Sequence, residues 1–167
     1  ENMPARPVKG FQYSEDKVES ERLITDYAAQ HPNVVATILR SPPVMGANTD
    51  NFIARAFSKP FLVKVGGADP PMQFIHEDDF LDVLVYTILN DAPGTYNVSG
   101  NGTVHWTEMC RMLGRRATAL PPALLYPLTD ISWALRINRD SPSSGLNFIR
   151  YPWVADTTKI NGELGIE

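Results

Sequence analysis

The segment QYSEDKVESE, residues 12–21, begins the first helical pattern of the chain and contains a Tyr-x-x-x-Lys pair. Tyr13 and Lys17 are four residues apart, so on a helix their side chains lie on one face. A phenol has an ordinary pKa of about 10 and is a poor base at neutral pH, but a neighbouring cation favours its phenolate. Such a phenol can take a proton from an alcohol or return one to a carbonyl oxygen. The same spacing also occurs as a half-buried ring beside a solvated cation, and the pair alone does not decide between the two.

Helices and strands are predicted to alternate after this pair. Apolar residues at helical spacing predict a helix over residues 14–30, and the β-branched run VVATIL, residues 34–39, is typical of a parallel strand buried on both faces. Further strands are predicted at 61–65, 73–76 and 94–100, and further helices at 51–58, after 77, at 108–113 with Thr107 as N-cap, at 122–136 and at 156–164. This alternation predicts the α/β fold class.

Composition excludes several kinds of partner. The chain has 167 residues with 15 basic and 19 acidic side chains, a net charge of −4, so no basic excess favours nucleic acid. The most apolar stretch, residues 121–137, is too short and too interrupted to span a bilayer, and no membrane partner is expected. The chain is expected to be a cytoplasmic protein.

Neither a disulfide nor a metal site is predicted. Cys110 is the only cysteine, so no disulfide can form within the chain, and the helical pattern around it predicts a core position. His31, His76 and His105 are far apart and show no metal-ligand spacing, so no metal ligand is assigned.

Five segments, taken in order, resemble the second half of the NAD-dependent epimerase/dehydratases, which are extended short-chain dehydrogenase/reductases. The family patterns are Y-x-x-x-K-x-x-x-E, L-R-P-x-x-V-Y-G, F-I-H-V-D-D, Y-N-V-G-G and D-x-x-K followed by L-G. Their counterparts here are YSEDKVESE at 13–21, ILRSPPVMG at 38–46, MQFIHEDDF at 72–80, GTYNVSG at 94–100, and Asp156 and Lys159 with ELG at 163–165. Each motif is weak alone, whereas five in register are specific.

The resemblance implies a C-terminal portion of a Rossmann-like doubly wound fold plus the small substrate-binding lobe. Residues 1–60 would be the C-terminal part of the Rossmann-like domain. Residues 61–167 would form most of the substrate-binding lobe, with 73–98 partly returning to the main sheet.

The resemblance also implies the site and its cofactor, NAD or NADP. Tyr13 and Lys17 would be the catalytic pair: Tyr13 as acid/base, and Lys17 holding the nicotinamide ribose and lowering the Tyr13 pKa. Both would therefore contact the cofactor. The loop Ser41, Pro42, Pro43 and Val44 would lie against the nicotinamide ring. His76 and Asp78-Asp79 match a motif expected to be structural.

Two family features are missing from the sequence. The chain contains no G-x-x-G-x-x-G loop for the pyrophosphate, and residues 1–12 contain no Ser or Thr that could serve as the catalytic hydroxyl before the Tyr. The chain is therefore expected to be a C-terminal fragment that binds NAD(P) negligibly and is inactive by itself.

The substrate is expected to be a small molecule that is not a nucleotide sugar. Pro43 stands where nucleotide-sugar enzymes of the family carry Asn, and Met72-Gln73 stand where they carry an Arg that binds diphosphate. A thioether and an amide cannot neutralise phosphate. A smaller or more apolar carbonyl or alcohol is the alternative. The apolar region 119–136 either covers such a site or closes the small lobe's core.

The expected function is therefore an epimerase, dehydratase or reductase that transfers hydride between NAD(P) and a secondary alcohol or carbonyl. The alternative is a non-catalytic, atypical relative that binds a dinucleotide or a partner. Many relatives pair the Tyr-bearing helix with a second copy, so the resemblance also implies a homodimer through helix 14–30.

Overall fold

The computed structural model describes residues 4–59 and 61–166. The helices are α1 (Gln12–Gln30), α2 (Phe52–Ser58), α3 (Glu77–Leu89), α4 (Trp106–Met112), α5 (Pro122–Ala134) and α6 (Thr158–Leu164), with a 3-10 helix at Ser143–Ile149. The strands are β1 (Thr37–Arg40), β2 (Val44–Met45), β3 (Leu62–Val65), β4 (Pro71–Met72), β5 (Ile75–His76), β6 (Gly94–Asn97), β7 (Val104–His105) and β8 (Ala117–Leu120).

The described strands pair two by two. β1 pairs with β6, β2 with β5 and β3 with β8, all parallel, whereas β4 and β7 are antiparallel. Parallel neighbours need a crossover segment between them, and here each crossover contains at least one helix. This arrangement confirms the predicted α/β class.

Two hydrophobic clusters support these strands. The larger surrounds Val65, Met72 and Cys110, all essentially inaccessible to solvent, and draws on α2, β3, α4 and α5. The smaller joins α3, β6 and α6 through Val83, Tyr96 and Ile160. Cys110 therefore lies in the core as predicted, and burial raises the pKa of its thiol, which disfavours the reactive thiolate.

The closing Asp156 and Lys159 motif fastens α6 to β6. The Lys159 ammonium donates to the Thr95 carbonyl oxygen at 2.8 Å and lies 4.5 Å from the Tyr96 ring centroid. The Asp156 carboxylate accepts from both the backbone N–H and the hydroxyl of Thr158 at the start of α6. The motif thus orders the end of the chain against the strand beside β1.

The interpretation of residues 34–39 as a strand buried on both faces was wrong. β1 begins at Thr37, and Val34 and Val35 before it are exposed. All four strand residues are half-buried, because among the described strands β1 has one neighbour, β6. The helix over 14–30 is confirmed in α1.

The prediction around α4 also needs correction. Thr107 is not the N-cap, because the helix already starts at Trp106. The backbone N–H and hydroxyl of Thr107 both donate to Asp69 Oδ1, so a carboxylate distant in sequence accepts the hydrogen bonds at the start of α4.

Strand β8 was not predicted from the sequence, since its residues gain strand geometry only through pairing with β3. The domain boundary between residues 60 and 61 stays a prediction, and residue 60 lies outside the described residues.

Two glycines provide a matched test of the packing at β5. A Cβ on Gly100 would lie 2.7 Å from the Phe74 carbonyl oxygen, whereas one on Gly162 in α6 meets no described atom within 4 Å. Gly100→Ala should lower the free energy of unfolding by about 1–3 kcal/mol, since backbone must move. Gly162→Ala should raise it by about 0.5–1 kcal/mol, since Ala loses less entropy in a helix. Urea unfolding measures both, and equal effects would contradict the close contact at Gly100.

Candidate functional site

An open cleft of about 780 Å³ brings most of the predicted site residues together. Tyr13 at the start of α1 and the loop residues Ser41, Pro42, Pro43 and Val44 all line it. The loop connects β1 to β2, so the cleft lies at the carboxyl end of a parallel strand, where open α/β sheets commonly bind ligands. The remaining lining comes from Phe11, Arg40, Asp50, Asn51, Phe52, Arg55, Asn97, Asp140, Phe148 and residues 153–155.

The Tyr13 side chain is accessible from the cleft. Its exposed fraction is 53%, and the phenolic oxygen makes no hydrogen bond to any described residue. The ring lies 5.9 Å from the Phe11 ring and 6.1 Å from the Phe52 ring, which fix its direction. An oriented hydroxyl without a protein partner can exchange a proton with a bound molecule.

Lys17 stands behind Tyr13 and not on the wall of the cleft. Its ammonium nitrogen is 5.5 Å from the centroid of the Tyr13 ring, in cation–π range, and pairs with no carboxylate among the described residues. The side chains of Tyr13 and Lys17 are therefore neighbours, as predicted, with the ammonium over the phenol ring. The catalytic roles of Tyr13 and Lys17 stay predictions.

Helix α1 is anchored by a charged contact. It lies wholly within the described range and buries none of its residues. Glu21, the last residue of the Tyr-x-x-x-Lys-x-x-x-Glu pattern, accepts two hydrogen bonds from the Arg40 guanidinium, one of them from Nε at 2.9 Å. Arg40 ends β1 and directly precedes Ser41, so this bidentate pair sets Tyr13 opposite the loop.

The loop at 41–44 is fixed from two sides. The Pro43 carbonyl oxygen accepts from Ile75 N–H at 3.4 Å, which continues the pairing of β2 with β5. The Val44 carbonyl oxygen accepts from the Asn51 amide at 2.7 Å, while Asn51 Oδ1 caps α2 by accepting from Ile53 and Ala54 N–H. One side chain thus positions both the loop and the helix that presents Phe52.

Two of the quoted motifs meet at Gly46. A Cβ there would lie 2.3 Å from Cδ of Glu77, whose Oε1 accepts from the backbone and side-chain nitrogens of Asn48. His76 Nδ1 accepts from Asp78 N–H and caps α3, and neither residue is among those that line the cleft. The structural role expected of His76 agrees with this geometry.

Several cleft residues were missed by sequence reasoning. Asn51 stands directly before an apolar helical segment, a recognisable N-cap position, and could have been found. Phe148 and Trp153 come from an irregular segment about 100 residues beyond the loop, and nothing local indicates their place. Arg55 and Asp140 meet across a similar separation.

The sequence matches the model of the NAD dependent epimerase/dehydratase family over residues 1–99. The chain belongs to this family. The resemblance to the family is thereby confirmed; the match covers the first three motifs and all but the last residue of the fourth, whereas the fifth, at 156–165, lies beyond it. The family is described as NAD dependent, and one structural neighbour was solved in complex with NAD.

Its relatives by sequence include two uncharacterized proteins of Mycobacterium tuberculosis. Rv0501 is 25% identical over 158 residues, which are 93% of this chain and 41% of Rv0501. Rv2047c is 26% identical over 117 residues, which are 69% of this chain and 14% of Rv2047c. The chain thus spans less than half the length of either relative.

Solved structures share the fold. The UDP-glucuronic acid 4-epimerase of Bacillus cereus in complex with NAD aligns with a TM-score of 0.60 and 19% identity, over 93% of this chain and 46% of that one. The UDP-N-acetylglucosamine 4-epimerase of the same species aligns with a TM-score of 0.53 and 14% identity, over 85% of this chain and 46% of that one. The Rossmann-like epimerase fold assignment is therefore confirmed.

Two structural features are absent from the described residues. None of the helices in residues 4–59 and 61–166 is long and apolar enough to cross a membrane. Across the same residues, no three His, Cys, Asp or Glu side chains are grouped so that they could hold a metal ion.

The anchoring of α1 can be tested by charge removal. Glu21→Gln should lower the free energy of unfolding by about 1–2 kcal/mol, because it leaves the half-buried Arg40 without its carboxylate. Hydrogen exchange in α1 should also become faster. Glu19→Gln is the control on the same helix. The ion pair of Glu19 with Arg22 is exposed to solvent, so its loss should change the free energy of unfolding little. If both variants behaved alike, Glu21 would not be the anchor.

Proposed function

We propose that this chain supplies the acid/base side of an NAD(P)-dependent oxidoreductase of the epimerase/dehydratase family. The substrate is a secondary alcohol or carbonyl compound, and Tyr13 is the acid/base. The observation that carries the proposal is the Tyr13 hydroxyl, which is free of protein partners among the described residues and opens into the cleft formed by the loop at 41–44.

The residues at this end of the cleft fit a nicotinamide. Pro42 and Pro43 on the wall offer flat apolar rings with no N–H to satisfy. Lys17 lies beside Tyr13 and outside the lining; its ammonium pairs with no described carboxylate, and it would bind the ribose hydroxyls. Bound NAD(P) would accept or deliver the hydride. No segment of this sequence corresponds to the glycine-rich loop that would bind the pyrophosphate of the cofactor.

Tyr13 would manage the proton that accompanies hydride transfer. In the oxidative direction its phenolate takes the proton of the substrate hydroxyl as the C–H bond breaks, and in the reductive direction its hydroxyl returns a proton to the carbonyl oxygen. Lys17 lies one helical turn away, with its ammonium nitrogen 5.5 Å from the centroid of the Tyr13 ring. Phe11 and Phe52 hold the ring in place while the proton moves.

We propose further that the activity belongs to a longer protein. The chain corresponds to 41% of the length of Rv0501 and 46% of the B. cereus UDP-glucuronic acid 4-epimerase. A preceding segment would supply the pyrophosphate loop and the catalytic Ser or Thr. The alternative, a non-catalytic dinucleotide- or partner-binding module, is less well supported, because such a module has no need of both Tyr13 and Lys17.

Tyr13→Phe is the decisive variant in a protein that carries the glycine-rich loop ahead of this chain. NAD(P)H oxidation against a panel of ketones should fall by roughly 100-fold or more, since only the proton-transferring oxygen is lost. Cofactor affinity should stay nearly unchanged. Tyr27→Phe is the control, because Tyr27 stacks on His31 at the far end of α1. Normal turnover by Tyr13→Phe would refute the acid/base role.

The 167-residue chain itself is the negative control for that assay. We expect calorimetric titration with NAD+ and NADP+ to show no binding at micromolar concentrations, and no turnover. Micromolar binding by the chain alone would contradict the need for a separate pyrophosphate loop.

Self-association through residues 14–30 is also a proposal. Leu23, Ile24 and Tyr27 on α1 are 54%, 46% and 54% exposed, an apolar surface that a second copy of the helix would cover. Sedimentation velocity should show a concentration-dependent dimer that Ile24→Glu abolishes. Thr25→Glu adds the same charge beside this surface and should leave the dimer intact. A monomer at all concentrations, or equal effects of the two variants, would count against this interface.

A further inference from the structure

We infer that the cleft takes an uncharged, largely apolar cyclic or aryl ketone, or the matching secondary alcohol, and does not accept a nucleoside diphosphate sugar. The inference rests on the proposed function, because it concerns the molecule that Tyr13 would act on. Four observations about the walls of the cleft support it.

One wall of the cleft is aromatic. Phe11, Phe52 and Phe148 pack edge to face, with ring centroids 5.5–6.0 Å apart, and the Tyr13 ring lies 6.1 Å from Phe52. Phe52 and Phe148 are half-buried, so part of each ring faces the open space. Trp153 and Val154 continue this surface. Such a wall binds apolar rings by burying their surface.

The arginines that line the cleft are already paired with carboxylates. Arg55 forms ion pairs with Asp50 at 2.6 Å and with Asp140 at 3.5 Å, and the Lys59 ammonium contacts the other oxygen of Asp140 at 2.5 Å. The hydrogen bond from Lys59, helped by Arg55, holds the pKa of Asp140 below its ordinary value despite partial burial. Asp140 is therefore ionised at neutral pH.

The second guanidinium of the cleft is also paired, since Arg40 binds Glu21. The described lining thus contains two arginines, Arg40 and Arg55, against two carboxylates, Asp50 and Asp140. A diphosphate needs charge-assisted donors, and here it would have to displace a carboxylate from a formed ion pair. The electrostatics of the cleft therefore favour a neutral ligand.

Met72 and Gln73 cannot replace the missing arginine. Met72 is 0% exposed and belongs to the larger hydrophobic cluster. The Gln73 side-chain oxygen accepts from Ala155 N–H at 2.7 Å, and its backbone N–H donates to the Trp153 carbonyl oxygen. Gln73 therefore holds the apolar segment at 153–155 against the cleft instead of contacting a ligand phosphate.

Few hydroxyl groups remain to bind polar atoms of a substrate. Tyr13 and Ser41 are the hydroxyl residues among the described lining, and both lie at the nicotinamide end proposed above. A molecule with one oxygen at Tyr13 and a hydrocarbon body along Phe52 and Phe148 would satisfy this pattern. A bound sugar ring would place several of its hydroxyls against aromatic carbon. These hydroxyls would lose their hydrogen bonds to water without gaining new ones, which disfavours binding.

NMR titration of the chain with two probes tests the substrate class directly. 2-Tetralone, a neutral bicyclic ketone, should give saturable shifts at Phe52, Phe148 and Trp153, whereas UDP-glucose at the same concentrations should give none. Saturable shifts with UDP-glucose at these residues, or no saturable shifts with 2-tetralone, would overturn the inference.

A charge variant tests the electrostatic reason. Asp140→Asn releases Lys59 and weakens the restraint on Arg55, so UDP-glucose should now give saturable shifts at Phe52, Phe148 and Trp153 at concentrations where the parent chain gives none. Asp26→Asn makes the same change on the exposed face of α1 and should give no such shifts, like the parent chain. If Asp140→Asn behaves like Asp26→Asn, the neutralised cations do not exclude diphosphate.

The two proposals can fail separately. Tyr13→Phe should still give saturable 2-tetralone shifts at Phe52, Phe148 and Trp153, at lower affinity, because it loses the hydroxyl that meets the ketone oxygen but keeps the aromatic wall. Normal turnover by Tyr13→Phe would remove the acid/base assignment and leave the substrate class standing. Binding of UDP-glucose in place of 2-tetralone would remove the substrate class and leave the role of Tyr13 standing.

Discussion

The bidentate ion pair between Glu21 and Arg40 is the contact on which the arrangement of the site depends. Helix α1 has no buried side chain of its own within the described structure, so hydrophobic packing along the helix cannot fix its position. Glu21 joins it to the last residue of β1, and Phe11, just before the helix, packs against the rings of Phe52 and Phe148. These two attachments place Tyr13 across the cleft from the loop that follows β1.

The segments that carry the family motifs largely contact one another. The segment with Val44 and Gly46 runs parallel to the segment with Ile75 and Glu77, and Gly46 leaves the room that the Glu77 side chain occupies. The strand with Tyr96 pairs with β1 and is held in turn by Lys159. The order of the motifs along the chain thus reflects two parallel strand pairs, β1 with β6 and β2 with β5, which explains why this order was more informative than any single motif.

The sequence predicted the elements whose causes are local. The long helix, the Asn-capped α2 and the acid-rich start of α3 follow from periodicity and capping. β8, the true start of α4 and the half-exposed state of β1 depend on partners far along the chain. In the site, Tyr13 and the loop at 41–44 were found from motifs, whereas Phe148, Trp153 and Asp140 come into the cleft only through tertiary packing.

The central claim is that Tyr13 works beside a nicotinamide resting on residues 42–44. A crystal structure with NAD(P) bound, of a protein that contains this chain and the glycine-rich loop, tests it most directly. We expect the nicotinamide ring to lie against Pro42 and Pro43, the ribose hydroxyls to lie within hydrogen-bond distance of the Lys17 ammonium, and the Tyr13 hydroxyl to be open to the substrate side. A nicotinamide bound elsewhere, or a Tyr13 hydroxyl sealed inside the protein, would contradict it.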